Sequence, residues 1–249
     1  MTGGDFNDLV RSCLYNWLGY GNLDGSIWFM GTEEGGAEIW RQSTQTLTSS
    51  LRLRSNFGLA MDFRSVWEND YRIPLETFSG PTVWRYMAAF LLEMRGVEAS
   101  KDSIHALVYT SKQLGRPDSD HFMCELLPLP KRAKNAMEDY RSVWPSIAEY
   151  HKEVVPRRFE LIRNTILAHR GVRLVVSYER LLTERMLAHF REGLMLLNAW
   201  VSGEERYELY RIAVAHDRQL YLLSTPFFGN GRISYGGLRL SAGKVRSYL

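Results

Sequence analysis

The chain has 249 residues, of which 45% are hydrophobic and 24% charged, ordinary values for a globular protein that exclude a disordered chain or a coiled coil. Its 31 basic and 28 acidic residues give a net charge of only +3, which is weak support for a polyanionic partner. No apolar run approaches the roughly 20 residues of a membrane-spanning helix, and the polar segment Met1–Asp8 lacks the apolar core of a secretory signal.

The cysteine content also limits the class of protein. Cys13 and Cys124 are too few for a disulfide framework or a four-thiolate metal site. Two reduced thiols are typical of a cytoplasmic protein, which is the location we expect. Because no repeat, low-complexity tract or linker divides the sequence, we expect a single domain spanning residues 1–249.

Predicted helices and strands alternate along the chain. In chain order the pattern predicts a helix over Phe6–Leu18, a strand over Ser26–Met30, helices over Ala37–Leu51, Pro81–Arg95 and Ser103–Leu114, a strand over His121–Leu127, a helix over Pro156–His169, strands over Val172–Tyr178, Tyr207–Val214 and Gln219–Leu223, and a short final helix within Ser234–Tyr248. This alternation is typical of an α/β domain with a mostly parallel central sheet.

Three loops that follow predicted strands carry unusual residues. They are Gly31–Gly36, Glu125–Pro130 and Ser224–Arg232. In open α/β sheets, ligands bind beyond the carboxyl ends of the strands. We therefore expect these loops to form one binding chamber, with Glu33 and Glu125 both facing it.

The first loop combines glycines with two adjacent carboxylates. Its glycines allow a close approach of the backbone to a ligand, and no P-loop lysine follows them. For Glu34 we favour a structural role, in which its carboxylate caps the helix predicted from Ala37. For Glu33 we favour a functional role, since a carboxylate at a strand end can orient a water molecule or stabilise a developing cation.

Three segments together resemble the uracil-DNA glycosylase superfamily: Trp28–Gly36, Cys124–Pro130 and Leu223–Asn230. The resemblance implies a three-layer α/β/α domain that binds DNA and flips a base into a pocket. It also implies cleavage of the N-glycosidic bond through an oxocarbenium-like sugar, without a metal or a redox cofactor. Family members with an iron–sulfur cluster use four cysteines, so this chain does not belong to that branch.

The resemblance assigns catalytic roles by position. Glu33 stands where many members have a water-activating Asp, and its carboxylate would stabilise the sugar cation. Thr225 replaces the usual His that hydrogen-bonds the base, and Asn230 or Arg232 can assist it.

The same late loop carries the expected DNA contacts, with Phe227 and Phe228 at the place of the wedge that enters the helix, followed by Gly229 and Arg232. An alternative is that one of the two phenylalanines belongs to the core.

Residues expected to contact the base are Gly31, Thr32, Glu34, Gly35, Phe57 and Glu125. Uracil enzymes place a bulky Tyr where this chain has Gly35, so its absence leaves room for a group on C5 of a pyrimidine. Glu125 lies where those enzymes read the base with an Asn, and a carboxylate accepts a hydrogen bond from the cytosine N4 amino group. Together these features predict a 5-modified cytosine, such as the glucosylated hydroxymethylcytosine of phage DNA. An equally weighted alternative is that Glu125 pairs with a nearby arginine.

Three functions remain open at this point. The first is a monomeric, monofunctional DNA glycosylase that creates abasic sites in invading phage DNA. The second is a uracil-DNA glycosylase of base-excision repair. The third is a DNA-binding or damage-sensing protein that has lost catalysis. The pairs Arg52/Arg54 and Arg157/Arg158 are candidate phosphate contacts, although a solvated surface is the simpler interpretation.

Overall fold

The computed structural model describes residues 3–78, 80, 82–133, 135–190, 193–215, 218–229 and 231–249. The strands found within these residues form one mixed sheet. They are β1 Gly19–Gly21, β2 Ile27–Glu33, β3 Ala60–Met61, β4 His121–Leu127, β5 Leu174–Ser177, β6 Leu194–Ser202, β7 Glu205–Ala215 and β8 Arg218–Ser224. Their order across the sheet is β3-β1-β4-β2-β5-β8-β7-β6.

Helices occupy most of the connections between these strands. They are α1 Gly3–Asn16, α2 Ala37–Trp40, α3 Leu47–Ser55, α4 Phe63–Ser65, α5 Thr82–Met94, α6 Lys101–His105, α7 Ile147–Ala168, α8 Arg180–His189 and α9 Tyr235–Arg246. Two of them, α4 and α6, continue directly into π-helical turns. Among the described helices, none is both long and apolar enough to cross a membrane.

The centre of the sheet consists of β4, β2, β5 and β8, which pair in parallel. These strands are almost continuous apolar runs, as expected where both faces of a sheet are covered. Along β2, Trp28 and Met30 belong to a core cluster that includes residues of α1 and α7, whereas Phe29 belongs to a second cluster that includes residues of α5 and α9. The strands predicted at all four positions are confirmed.

The expectation of a mostly parallel sheet is wrong, because antiparallel pairs flank the parallel centre. On one side β1 runs antiparallel to β4, and on the other β8, β7 and β6 are antiparallel neighbours. Ser202 and Glu205 face each other across a two-residue turn between β6 and β7. Gly203 begins this turn with φ +64°, a conformation that suits Gly and lets the chain reverse tightly.

Some predicted helices have different limits in the structure. The helix expected over Ala37–Leu51 is interrupted, since α2 ends at Trp40 and α3 begins after Thr46. The Thr46 hydroxyl accepts a hydrogen bond from the backbone N–H of Ser49 at 3.1 Å, which favours a new helix start there. Helix α7 is longer than expected and runs through Pro156. Helices α4 and α8 and strands β1, β3 and β6 were not predicted.

Candidate active site

A cleft of about 740 Å³ opens at the carboxyl ends of the parallel strands. It is reached by the segments that follow β2, β4, β5 and β8, so all three loops singled out in the sequence contribute to it. Its apolar lining includes Trp17, Tyr20, Phe63, Trp67, Trp84 and Met87. Four carboxylates also line it, those of Glu33, Glu34, Glu125 and Glu179. The cleft thus combines an aromatic surface with an unusual density of acidic groups.

Glu33, the last residue of β2, is paired with a lysine. Lys131 Nζ lies 2.8 Å from Glu33 Oε1, and the lysine side chain is almost completely buried. His151 Nε2 lies 4.0 Å from the same oxygen. A neighbouring ammonium group favours the charged form of a carboxylate. Glu33 therefore lies in the cleft wall in contact with a buried ammonium group.

Glu125 on β4 has the opposite electrostatic surroundings. Its Oε1 accepts a hydrogen bond from the Tyr178 hydroxyl at 2.7 Å, while Oε2 is buried and has no hydrogen-bond partner among the described residues. Burial, reinforced by the negative charges of Glu34, Glu179 and Glu33, raises the pKa of Glu125 to about 8. At neutral pH this carboxyl group is predominantly protonated.

Gly31 makes room for this carboxyl group. It lies opposite Glu125 in the pairing of β2 with β4. A Cβ atom at position 31 would overlap both the Tyr178 hydroxyl and Glu125 Oε2. Only a residue without a side chain therefore permits the hydrogen bond between Tyr178 and Glu125. Gly31 is buried and supports the wall of the cleft from behind.

Glu34 does not cap α2, so that expectation is wrong. The N-cap position of α2 is Gly36, and no side chain hydrogen-bonds to the helix start. Instead, the carboxylate of Glu34 is bound by the fully buried Arg54, whose Nη2 lies 3.0 Å from Glu34 Oε1. Arg54 also donates to Glu38 Oε1 at 2.8 Å and to the Pro128 carbonyl at 3.2 Å. One guanidinium thus connects the loop after β2 with the loop after β4, and burial raises the pKa of Glu34.

Thr32 joins the loop after β2 to the segment after β5. Its hydroxyl donates a hydrogen bond to Glu179 Oε2, and both residues line the cleft. This contact places the Glu179 carboxylate beside those of Glu33 and Glu125.

The mouth of the cleft differs from its interior in charge and in openness. Arg41, Arg132 and Arg232 line it with exposed side chains, and Arg132 stacks over the Trp40 ring at 4.3 Å. Arg232 Nε also lies 3.1 Å from Glu205 Oε1. A Cβ atom at Gly35 would meet nothing within 4 Å.

Of the two aromatic residues expected to enter DNA, only Phe227 lines the cleft. Phe228 is fully buried and stacks on Tyr178, with 4.9 Å between ring centroids. The expectation that Phe228 acts as a wedge is therefore wrong, because its ring supports Tyr178 from the core. Gly229 follows it and is buried outside the cleft lining.

Two further site predictions also fall on buried positions. The Thr225 hydroxyl donates to the Pro226 carbonyl at 3.0 Å, and its side chain does not line the cleft. The proposed contact between Thr225 and a base is thus not supported by its position. Phe57 packs against the edge of Trp17 in the core, so it offers no surface for base stacking. Asn230 lies outside the described residues.

Lys131 and Tyr178, which contact Glu33 and Glu125, were not singled out from the sequence, and Arg54 was considered only as a phosphate contact or a solvated side chain. Tyr178 was placed at the end of a predicted strand and Lys131 directly after Pro130, so their positions beside strand ends were the available signal. Arg54 and Arg158 are buried rather than solvated, and the hydrogen bonds that Arg158 donates to described residues all go to backbone carbonyls, including that of Glu125 at 2.8 Å.

Among the described residues, no three carboxylate, imidazole or thiol groups are arranged to hold a metal ion. We compared the sequence with protein-family models and with curated proteins, and neither comparison produced a match.

Proposed function

We propose that this chain is a DNA glycosylase that hydrolyses the N-glycosidic bond of a base turned out of the duplex into the cleft. The observation that carries the proposal is that Glu33 and Glu125, on adjacent parallel strands, line one cleft in contrasting surroundings: Glu33 forms an ion pair with Lys131, whereas burial raises the pKa of Glu125. Pairs of carboxyl groups in contrasting environments are how glycoside-cleaving enzymes divide acid and base roles.

Glu33 would act on the sugar. Cleavage of an N-glycosidic bond leaves positive charge on C1′ and the ring oxygen of the deoxyribose, and an anionic carboxylate stabilises that charge. The same carboxylate can accept a proton from the attacking water. Lys131 keeps Glu33 charged in a mostly apolar cleft, and so it would preserve the anion for the transition state.

The arrangement of the sheet is consistent with the superfamily suggested by the three motifs. Alternate residues of the central strands belong to two different core clusters, and each cluster also contains residues of helices. We interpret this arrangement as a three-layer α/β/α domain. The three motif loops meet at one cleft, as a glycosylase of that type requires. The antiparallel flanks distinguish this sheet from a simple parallel one.

DNA would approach the mouth of the cleft. The three exposed arginines there, Arg41, Arg132 and Arg232, can contact phosphates, which accept bidentate hydrogen bonds from guanidinium groups. Phe227 is the partly buried aromatic residue placed to fill the space left by a flipped base. Inside the cleft, the ion pairs of Glu33 and Glu34 with basic residues reduce the repulsion that four carboxylates would exert on DNA.

The features around the base site support a 5-modified cytosine as substrate. A protonated carboxyl group at Glu125 donates one hydrogen bond and accepts another, which matches N3 and the N4 amino group of cytosine. The open space at Gly35 and the cleft volume of about 740 Å³ leave room for a large group on C5. Glucosylated hydroxymethylcytosine, as found in phage DNA, is the substrate we expect.

The test uses four matched duplexes that carry glucosylated hydroxymethylcytosine, hydroxymethylcytosine, unmodified cytosine or uracil at one position. Abasic sites are measured by strand cleavage in alkali, and released bases by mass spectrometry. We expect release of the modified cytosines only. Release of uracil alone would establish a repair enzyme instead, and DNA binding without any release would establish a protein that has lost catalysis.

A second measurement tests the DNA-binding surface. Each phosphate contact adds about 0.9 to the slope of log affinity against log salt concentration for duplex DNA. Changing Arg132 to Gln should reduce that slope by about one. The matched control is Arg206→Gln on β7, which lies outside the cleft lining and should leave the slope unchanged.

A further inference from the structure

The two oxygens of the Glu125 carboxyl group have different surroundings. Oε1 already accepts a hydrogen bond from the Tyr178 hydroxyl at 2.7 Å. Oε2 is buried and lacks a hydrogen-bond partner among the described residues. When the group is neutral, its proton is therefore best placed on Oε2, since Oε1 is occupied as an acceptor. Because Glu125 lines the cleft, a small rotation of its carboxyl group would present this donor to a ligand there.

Charged and titratable groups approach Glu125 from each neighbouring element. These are Glu33 and Glu34 from β2 and its loop, Tyr178 and Glu179 after β5, and Cys124 and Arg158 on its buried side. Arg158 donates to the backbone carbonyl of Glu125, while Arg54 and Lys131 are paired with Glu34 and Glu33. In this set the Glu125 carboxylate oxygens have no ion-pair partner that would hold them charged.

We propose that Glu125 is the general acid of the reaction and donates its Oε2 proton to N3 of the departing cytosine. This inference rests on the proposed glycosylase function and extends it from recognition of the base to its departure. Glu125 would then have a catalytic role in addition to its role in reading the base. General acids of this kind contribute roughly 10²–10⁴-fold to rate.

Atoms and charge balance in this step. The proton moves from Glu125 Oε2 to N3, the C1′–N1 bond breaks, and its electron pair goes to the base, which leaves as neutral cytosine. Water adds to C1′ of the sugar cation and gives its proton to the Glu33 carboxylate. After the reaction Glu125 is ionised and Glu33 is protonated, so a proton exchanged through solvent restores both groups.

A general acid at Glu125 also limits which class of base can be released with its help. Cytosine and its 5-substituted derivatives carry a lone pair on N3, whereas N3 of uracil carries a hydrogen. An acid placed at N3 can therefore assist the departure of cytosine-type bases and cannot protonate uracil there. Poor leaving groups should need this help most.

The test compares the wild type with Glu125→Gln, whose side chain is nearly isosteric and keeps a hydrogen-bond donor but has no acidic proton. The substrates are duplexes with 5-hydroxymethylcytosine and with 5-fluorocytosine, whose electron-withdrawing group makes it a better leaving group. We expect the variant to release hydroxymethylcytosine about 10²–10⁴-fold more slowly, and fluorocytosine less than about tenfold more slowly. Its affinity for the uncleaved duplex should stay within threefold of that of the wild type.

A pH profile of the wild type alone provides the second readout and does not depend on the folding of a variant. Release at saturating enzyme should fall about tenfold per pH unit above pH 8, as the acid ionises. A flat profile of release rate between pH 7 and pH 10 overturns the role of Glu125 and leaves the glycosylase proposal intact. The same conclusion follows if Glu125→Gln keeps the same fraction of wild-type activity on both bases. Absence of release by the wild type from every duplex overturns both.

Discussion

Ionisable side chains are buried at the parallel centre of the sheet and lie near the surface on its antiparallel flank. Around β2 and β4, ionisable side chains such as Arg54, Glu38 and Lys131 are buried and paired. On the β6–β7 hairpin the described ion pairs are near the surface, as in the 2.7 Å contact of Arg206 Nη2 with Glu208 Oε1. Within the described residues, no residue of β6 or β7 lines the cleft. The buried ionisable groups are thus concentrated where parallel strand ends converge and where burial strengthens electrostatic effects.

The largest difference between the two regions should be seen in stability. Arg54→Met leaves the carboxylates of Glu34 and Glu38 buried without their guanidinium partner, so we expect the free energy of unfolding to fall by about 3–5 kcal/mol. Arg206→Met removes an exposed partner of Glu208 and should cost less than about 1 kcal/mol. Urea denaturation at pH 7 measures both. Equal losses of unfolding free energy in the two variants would show that burial does not make the contacts of Arg54 more important for stability than those of Arg206.

Catalysis should show the next largest difference. Glu33→Gln removes the anion beside Lys131, and base release should fall by about 10²–10³-fold while DNA affinity is retained. The matched control in the hairpin is Glu208→Gln, which should release the base at the wild-type rate. Single-turnover assays on the modified-cytosine duplex measure both variants. Full activity of Glu33→Gln would remove Glu33 from the mechanism.

The pH dependence of stability should reveal the buried acid at Glu125. Its pKa is about 8 in the folded chain and about 4.3 in an unfolded one. Between these values the folded state binds more protons, so the free energy of unfolding decreases as the pH rises. Glu125→Gln removes this decrease, so between pH 5 and pH 9 its free energy of unfolding should rise by about 4 kcal/mol relative to that of the wild type. Parallel stability curves for the two proteins would contradict a buried neutral acid.

The smallest effect is expected at the edge of the sheet. Val201 on β6 is 62% exposed, and Val201→Lys should change the free energy of unfolding by less than about 0.5 kcal/mol. Base release should be unaffected, because β6 lies outside the cleft lining. Thermal unfolding and the release assay test this. A larger loss would show that another surface covers this edge in solution.

The central strands could be predicted because the local sequence pattern indicates their environment. A run such as that of β2 is apolar at every position when helices cover both faces of a sheet, and Gly31 marks where it approaches its end. Strand β6 is also apolar, but it lies at the edge of the sheet, where Met195 and Leu196 are exposed. Its environment depends on pairing with β7, which no local pattern specifies.

The candidate site could be predicted only in part for the same reason. Glu33 and Glu125 were identifiable because Glu33 ends β2 and Glu125 lies near the carboxyl end of β4. Their protonation states depend on Lys131, which is 98 residues from Glu33, and on Tyr178, which is 53 residues from Glu125. Phe228 was misassigned because the sequence does not reveal that its ring faces Tyr178. Such long-range contacts are set by the fold as a whole.

The two glycines of the first loop have contrasting consequences for how this protein can change. At Gly31 any added side chain overlaps Tyr178 and Glu125, so a randomised library selected only for folded protein should retain Gly there. At Gly35 the same library should accept almost any residue, because the space is open. A bulky residue at position 35 would narrow the cleft without harming the fold. Under the proposed function, new base preferences would therefore evolve at position 35 rather than at position 31.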